Sequence, residues 1–541
     1  MITYKGNAVS AGIAIGNILF LQSQKQENFA DIHICDVEKE KQRLMDACEV
    51  AANQLMDLYE KALESSGEEA SGIFMVHSMM LQDDDFLQAM KDMIQESNCC
   101  AEHAVTTVAK QFADDLAESG SDYIAERGSD VADVSTRVIQ ILQGKQTEVD
   151  LKDDKPVILV AEELTPSQTL MFDRSKLLAL ISKKGSRTSH TAILARSLSI
   201  PAIICPDLDL KSGLCGKECI VDGLTGTITI EPDEASAKDA KTKQDKYKEE
   251  QKELESLKDK EAVTKAGQKV NIYGNAGNIE DIETIVETGG EGVGLFRSEF
   301  LYLGRDTLPS EDELTQVYTN AAKKLDGRLL VIRTLDIGAD KKAPCLPLEE
   351  EDNPALGIRA LRLCFEAPEV FITQLRSILR AATAGNVAIM VPMIISLAEI
   401  KRAKDYIKEA AKQLEAEKIP YKMPDQIGIM VETPAAALIS DILAKEVDFF
   451  SIGSNDLTQY TLAIDRQNER LDKYCDTHHE AVLRLIELTA ENAHKNGIWC
   501  GICGEVGSDL ELTERFVKAG IDELSVYPGA ILPHKKRIRE L

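Results

Sequence analysis

The sequence predicts a multidomain α/β protein: a C-terminal (β/α)8 barrel, and before it a smaller α/β domain with a helical bundle inserted. Three observations lead there. Eight short apolar runs alternate with helical segments through the last half of the chain, a helical period fills roughly residues 36–145 only, and 541 residues exceed what one core supports.

The elements follow in order. Residues 4–21 alternate glycines with short apolar pieces (Gly6, Gly12, Gly16), which read as two short strands and a tight turn. From about residue 36, Leu44, Cys48, Ala51, Leu55, Leu58 and Ala62 recur at steps of three and four, one face of an amphipathic helix. Further helical stretches are expected around 69–95, 100–118 and 121–143. Residues 156–230 return to α/β texture, with strands at Pro156–Ala161, Leu177–Ser182 and Ala202–Ile204 and a closing hairpin at 219–230. Residues 233–262 are almost wholly Lys, Glu, Asp, Ala and Gln without an apolar stripe, a solvated helical linker. The domains are therefore 1–25 with 147–232, the inserted bundle 26–146, the linker 233–262 and the barrel 263–541.

The barrel strands are read at 269–273, 292–296, 329–332, 387–391, 427–431, 449–453, 498–502 and 523–526. Polar residues fall at their C-terminal ends, the face on which such barrels build their sites. Arg297 and Glu299 end the second strand, Arg333 the third, Glu432 the fifth, Asn455 and Asp456 the sixth and Cys503 the seventh. Arg297, Arg333 and Arg466, with Arg359 as a fourth candidate, offer forked donors for phosphate and carboxylate oxygens. Glu432 and Asp456 offer hard oxygens for Mg²⁺, and Cys503 sits where a weak acid protonates a carbanion-like carbon. The implied substrate is a small, highly anionic phosphorylated acid that leaves as an enolate.

A second stretch complements the first. Thr188-Ser189-His190-Thr191 precedes a helix-period run from Ala192 to Leu198, placing His190 in a first turn, where N–H groups favour phosphate and a neutral ring keeps a nucleophilic nitrogen. Composition excludes other classes. With 62 basic against 91 acidic residues the net charge is −29, which argues against nucleic acid. No apolar run reaches membrane-spanning length, the first residues do not read as a signal peptide, and twelve scattered cysteines fit a reducing cytoplasm. Cys500-Gly501-Ile502-Cys503 has the spacing of half a zinc or redox site, but no second pair accompanies it.

The His190 stretch resembles the phosphohistidine motif shared by phosphoenolpyruvate synthase, pyruvate phosphate dikinase and Enzyme I of the bacterial sugar phosphotransferase system. Gly292–Leu301, Arg333–Lys341, Ile427–Ala437 and Asp448–Arg466 are similar to Enzyme I signatures, and the resemblance covers essentially the whole chain. It implies a swivelling phosphohistidine domain, with His190 phosphorylated by phosphoenolpyruvate at a TIM barrel that binds Mg²⁺ and forms a homodimer, and with Cys503 converting enolate to pyruvate. Arg297, Arg333, Asn455, Asp456 and Arg466 would bind substrate, and Glu432 and Asp456 the metal. The helical domain would dock the carrier protein HPr, with Glu68, Glu69, Phe74, His77, Met79, Met80 and Asp84 as candidates. From the residues alone, the Met and Phe side chains there either fill core or form an exposed patch rimmed by carboxylates. Two departures stand out: Gly185-Ser186 replaces the usual glycine pair, and Cys475-Asp476-Thr477-His478-His479 stands where the family usually has prolines. An ATP-linked dikinase would share the motifs but would need a nucleotide-binding domain in place of the helices. A phospho-acceptor scaffold with a dead barrel would lack the strand-end set.

Overall fold

A computed structural model of the chain describes all residues except 22–28, 30–33, 35, 119–121, 145–155, 163–175, 186–191, 193–194, 196–199, 210–213, 339–340, 342, 350 and 467. It resolves into two compact units, 1–249 and 250–541.

The first unit contains one eight-stranded sheet: β1 (Ile2–Lys5), β2 (Asn7–Ser10), β3 (Ile13–Leu21), β4 (Val157–Ala161), β5 (Leu177–Ser182), β6 (Ala202–Ile204), β7 (Glu218–Asp222) and β8 (Thr227–Ile230), in the order β1-β8-β7-β3-β4-β5-β6-β2. β3, β4 and β5 run parallel, and the β7–β8 hairpin closes one side. Three strands, rather than two, occupy the first 21 residues, because Gly12 takes φ 128° and turns the chain between β2 and β3.

Among the described residues between β3 and β4 lie four helices: α1 (Val37–Met80), α2 (Asp84–Ser97), α3 (Ala101–Glu118) and α4 (Asp122–Leu142). The expected break near Gly67 does not occur. One glycine inside a helix costs only about 1 kcal/mol, and α1 ends instead at Leu81, before Asp83 caps α2 by accepting from the Phe86 N–H at 2.9 Å. Leu44, Leu55, Leu81, Met90, Ile94, Val105 and Val134 fill the bundle core. Each such side chain contributes about 1.5–3 kcal/mol by leaving water. Arg43 ties α1 to α3 through Glu102.

The core overturns two of the docking candidates. Phe74 is 1 % exposed and His77 0 %, because they lie three residues apart on the stripe of α1 that faces the bundle, with His77 3.4 Å from Asp130. Met75 and Met79 lie on the opposite stripe, Met79 at 63 % exposure, and Met80 is half-buried. The side chains of Glu68, Glu69 and Asp84 lie outside the described residues. So does His190, whose flanking Ala192 and Ala195 are helical and buried.

The helix α5 (Glu234–Glu255) covers most of the expected solvated linker, and Ala240 is its buried residue. In the second unit, eight parallel strands close on themselves: β9 (Asn271–Ala276), β10 (Gly292–Arg297), β11 (Leu329–Arg333), β12 (Val387–Val391), β13 (Gln426–Val431), β14 (Phe449–Gly453), β15 (Trp499–Cys503) and β16 (Glu523–Val526), with β16 pairing β9. Strand period two divides their side chains. Ile272, Ile332, Ile389, Ile429, Ile452 and Ile502 pack under the outer helices, while Val331, Met390, Met430, Phe449 and Cys503 fill the inside. Ser310 and Ser396 open two outer helices with reciprocal capping boxes. Among the described residues no helix is long and apolar enough to cross a membrane.

Candidate active site at the barrel mouth

The same period two carries residues from the inside of the barrel to its mouth. Val331 continues to Arg333, Met430 to Glu432 and Leu295 to Arg297, and Cys503 ends β15 on the inner face. With the loops that follow, they line a cleft of about 750 Å³ that also takes in Asn455, Asp456 and Arg466. The barrel-mouth residues named from the sequence thus come together, and Arg359 joins them.

Charge pairing orders the cleft. Arg333 donates to Glu299 at 2.6 Å and lies 2.8 Å from Asp336. Arg359 reaches Asp336 at 3.0 Å and Asp456 at 3.4 Å, and its other nitrogen donates to the Tyr460 hydroxyl at 3.2 Å. Tyr460 in turn donates to the Ala355 carbonyl. Arg466, on the helix–loop after β14, is 3.5 Å from Asp456. Arg297 is exposed and lies over the Phe300 ring. Burial works against the Asp336 carboxylate, but Arg333 and Arg359 outweigh it and hold its pKa below the usual range.

Glu432 has the opposite fate. Burial first, then the Asp456 and Asp336 charges, push its pKa up to about 8. Its Oε1 accepts from the Met393 N–H at 2.6 Å, and its Oε2 accepts nothing. A Cβ on Gly453 would fall 2.9 Å from that Oε2, so the glycine leaves room for the carboxyl. The Cys503 thiol, raised to about 12 by burial, accepts a hydrogen bond from the Ser451 hydroxyl at 3.3 Å and donates to the Ile452 carbonyl at 3.5 Å. Asn455 Oδ1 accepts from the Glu505 N–H at 3.0 Å, which fixes the loop after β15 against the helix after β14.

Three residues with side chains hold left-handed backbone beside these groups: Ala360 (φ 51°) after Arg359, Met393 (φ 56°), which presents its N–H to Glu432, and Ala463 (φ 54°) near Arg466. Cys500 and Cys503 do not form a half-site. Three residues apart on an extended strand they point to opposite faces, Cys500 into the helix layer and Cys503 into the barrel.

Sequence reading named Glu299 without a role and quoted Asp336 only inside a motif, yet these carboxylates orient both buried arginines. Their signal was the spacing Arg297-x-Glu299 and Arg333-x-x-Asp336 at two neighbouring strand ends. The cleft ends with two kinds of unused group. Arg333 Nε and Arg359 Nε are buried donors without acceptors, Glu299 Oε2 and Glu432 Oε2 accept no hydrogen bond, and Asp456 Oδ1 meets only the half-exposed Arg466, at 3.5 Å. Such a site receives an anion and a hard cation together. Among the described residues no group of three His, Cys, Asp or Glu is placed to hold a metal alone. Two carboxylates completed by substrate oxygens and water suit Mg²⁺.

Comparison with known proteins agrees with this chemistry. Models of the PEP-utilising enzyme N-terminal domain match residues 5–127, of its mobile domain 153–226 and of its PEP-binding domain 251–541. The chain is 38% identical over 537 residues to a phosphoenolpyruvate-protein phosphotransferase of Priestia megaterium and 39% identical over 537 residues to one of Bacillus subtilis, covering 99% of this chain and 94% of each relative. A solved Enzyme I structure, at 35% identity and a TM-score of 0.39, covers 45% of this chain and 99% of its own.

Proposed function

Because this chain belongs to the phosphoenolpyruvate-protein phosphotransferases, we propose that it moves the phosphoryl group of phosphoenolpyruvate to its own His190, then to a histidine of HPr, and releases pyruvate. The observation that carries the reading is the matched set of unused groups in one cleft: the two Nε–H donors for an anion and the carboxylate oxygens for a cation.

The steps fall to named residues. Arg297 and Arg466, at the rim, draw in the trianionic substrate, and Arg333 and Arg359 turn their unpaired Nε–H groups on its phosphate and carboxylate oxygens. Glu299 and Asp336 keep both guanidiniums from rotating away. Glu432 and Asp456 would hold Mg²⁺, which neutralises phosphoryl oxygens when bound. Neutral His190 attacks phosphorus in line with the departing enolate oxygen, a transfer whose rate comes from positioning and charge stabilisation. Asn455 holds the loop that follows Cys503 in place, and the Cys503 thiol gives its proton to the methylene carbon, leaving a thiolate.

His190 must then meet HPr, and we assign α5 as the arm on which its domain turns. The exposed Met75–Met79 stripe of α1 is the proposed HPr surface, and the barrel pairs with a second copy. The test is the His190→Ala protein with radiolabelled phosphoenolpyruvate and HPr. No label reaches HPr if the scheme is right, and any transfer at the parental rate refutes it.

A further inference from the structure

One ionisable side chain inside the barrel has no part in that scheme. Glu523 opens β16 and is 1 % exposed, yet its Oε1 has no hydrogen-bond partner and no ion pair is seen at its carboxyl among the described residues. Barrel interiors are ordinarily filled by branched apolar side chains, so a lone carboxyl there is costly. Two strands make room for it. A Cβ on Gly501 would fall 1.9 Å from Glu523 Oε2, and one on Gly294 would fall 2.5 Å from Oε1. The space is kept for this group at the expense of two side chains.

What the carboxyl faces is informative. The absent Gly294 Cβ would also lie 2.6 Å from Ser525 Oγ, so that hydroxyl and Glu523 Oε1 flank the same small space. Ser525 pairs in register with Cys503, and Glu523 with Gly501. Register partners on adjacent strands stand about 4.8 Å apart. Ser451, in register with Gly501, completes the set by donating to Cys503 Sγ at 3.3 Å. A short polar column therefore lines one side of an otherwise apolar barrel, Glu523 and Ser525 on β16 beside Cys503 on β15, with the Ser525 hydroxyl donating to the Gly274 carbonyl at 3.2 Å. Burial holds the Glu523 carboxyl well above its ordinary range, which favours the neutral, proton-carrying form.

We propose that Glu523 is the proton store that restores the Cys503 thiol after each turnover, through Ser525. The inference rests on the reading of Cys503 as the acid. In that step a C–H bond forms at the enolate carbon as the S–H bond breaks. The Ser525 hydroxyl turns from the Gly274 carbonyl and gives its proton to the thiolate as Ser525 takes the Glu523 proton, leaving a carboxylate, and the carboxylate recovers its proton from water. A thiol that burial raises to about 12 makes its thiolate a strong base, which draws this proton toward sulfur.

The experiment compares parent, Glu523→Gln, Ser525→Ala and Cys503→Ala proteins by rapid-quench measurement of pyruvate with excess HPr. Glu523→Gln starts with its thiol protonated, so one equivalent of pyruvate appears at the parental rate and later turnovers slow by about tenfold or more. Ser525→Ala gives the same burst with the carboxyl intact, which covers the case in which Glu523→Gln folds poorly. The parent-minus-Glu523→Gln infrared spectrum at neutral pH carries a protonated-carboxyl band and no carboxylate band. Parental steady-state rates in both relay variants, or a carboxylate band, overturn the relay alone. Parental pyruvate formation by Cys503→Ala overturns the acid assignment and the relay with it.

Discussion

Replacing Arg333 by Met separates what this residue does for the fold from what it does for the reaction. In the parent, Arg333 meets Glu299 at 2.6 Å and Asp336 at 2.8 Å, all three buried. Asp336 keeps Arg359 at 3.0 Å when Arg333 is lost, whereas Glu299 keeps only Lys341, at 4.0 Å. The damage therefore concentrates on Glu299. Breaking a buried pair and stranding one partner costs about 3–5 kcal/mol. With a urea slope of about 3 kcal/mol per M, the barrel's unfolding midpoint falls by about 1–2 M. The chain's single tryptophan, Trp499, is stacked on Phe449 at 4.4 Å inside the barrel, so its fluorescence follows this unit's unfolding. Adding Glu299→Gln removes the stranded charge and returns most of the midpoint. Pyruvate formation does not return, staying lower by about 10²–10³ because a transition-state charge partner is gone. A parental midpoint for Arg333→Met, or no recovery in the double variant, refutes the reasoning.

Three other expectations follow from the same geometry. Gly453→Ala forces a methyl to within 2.9 Å of Glu432 Oε2 and 3.0 Å of Met430 Cγ. It costs about 1–3 kcal/mol and raises the Mg²⁺ concentration needed for half-maximal pyruvate formation; an unchanged requirement contradicts the assignment of Glu432. Asp336 has a depressed folded-state pKa, so its stabilisation is present above the ordinary carboxylate pKa and is lost as pH falls through the lower folded value. Asp336→Asn is accordingly less stable than the parent at pH 7, and urea titrations show the gap closing below about pH 4. Met79→Glu raises the HPr concentration for half-maximal transfer without moving the melting temperature, while Phe74→Ala costs about 3–5 kcal/mol from the bundle core; equal melting of the two reverses the assignment of faces.

The barrel was legible because its signals are local: an apolar run and then a helix, eight times over, with charged residues at the ends of the second, third, fifth and sixth runs. Each of the eight expected strands overlaps an observed one, and the inward parity of Arg333, Glu432 and Cys503 follows from period two alone. The bundle was less legible. Phe74 and Met79 both look apolar in sequence, and which one is buried depends on where α3 and α4 pack against α1, a matter of tertiary contact. The length of α1 was not legible either, since a single glycine such as Gly67 costs a helix only about 1 kcal/mol and does not by itself end one. Pairings such as Asp336 with Arg359, and the burial of Glu523 at a strand start where acidic residues usually meet water, come from barrel closure and are invisible along the chain.

The left-handed residues Ala360, Met393 and Ala463 have a consequence for anyone engineering this protein. Each keeps an L-side chain where glycine would rest more easily, at about 1–2 kcal/mol apiece. At the exposed Ala463 selection for heat tolerance alone would drift toward glycine, whereas the buried Met393 and Ala360 would lose packing by the same change. The gain in hardiness there would come with slack in the backbone that aims Arg466, so a variant library screened only by survival would accumulate durable but sluggish enzymes.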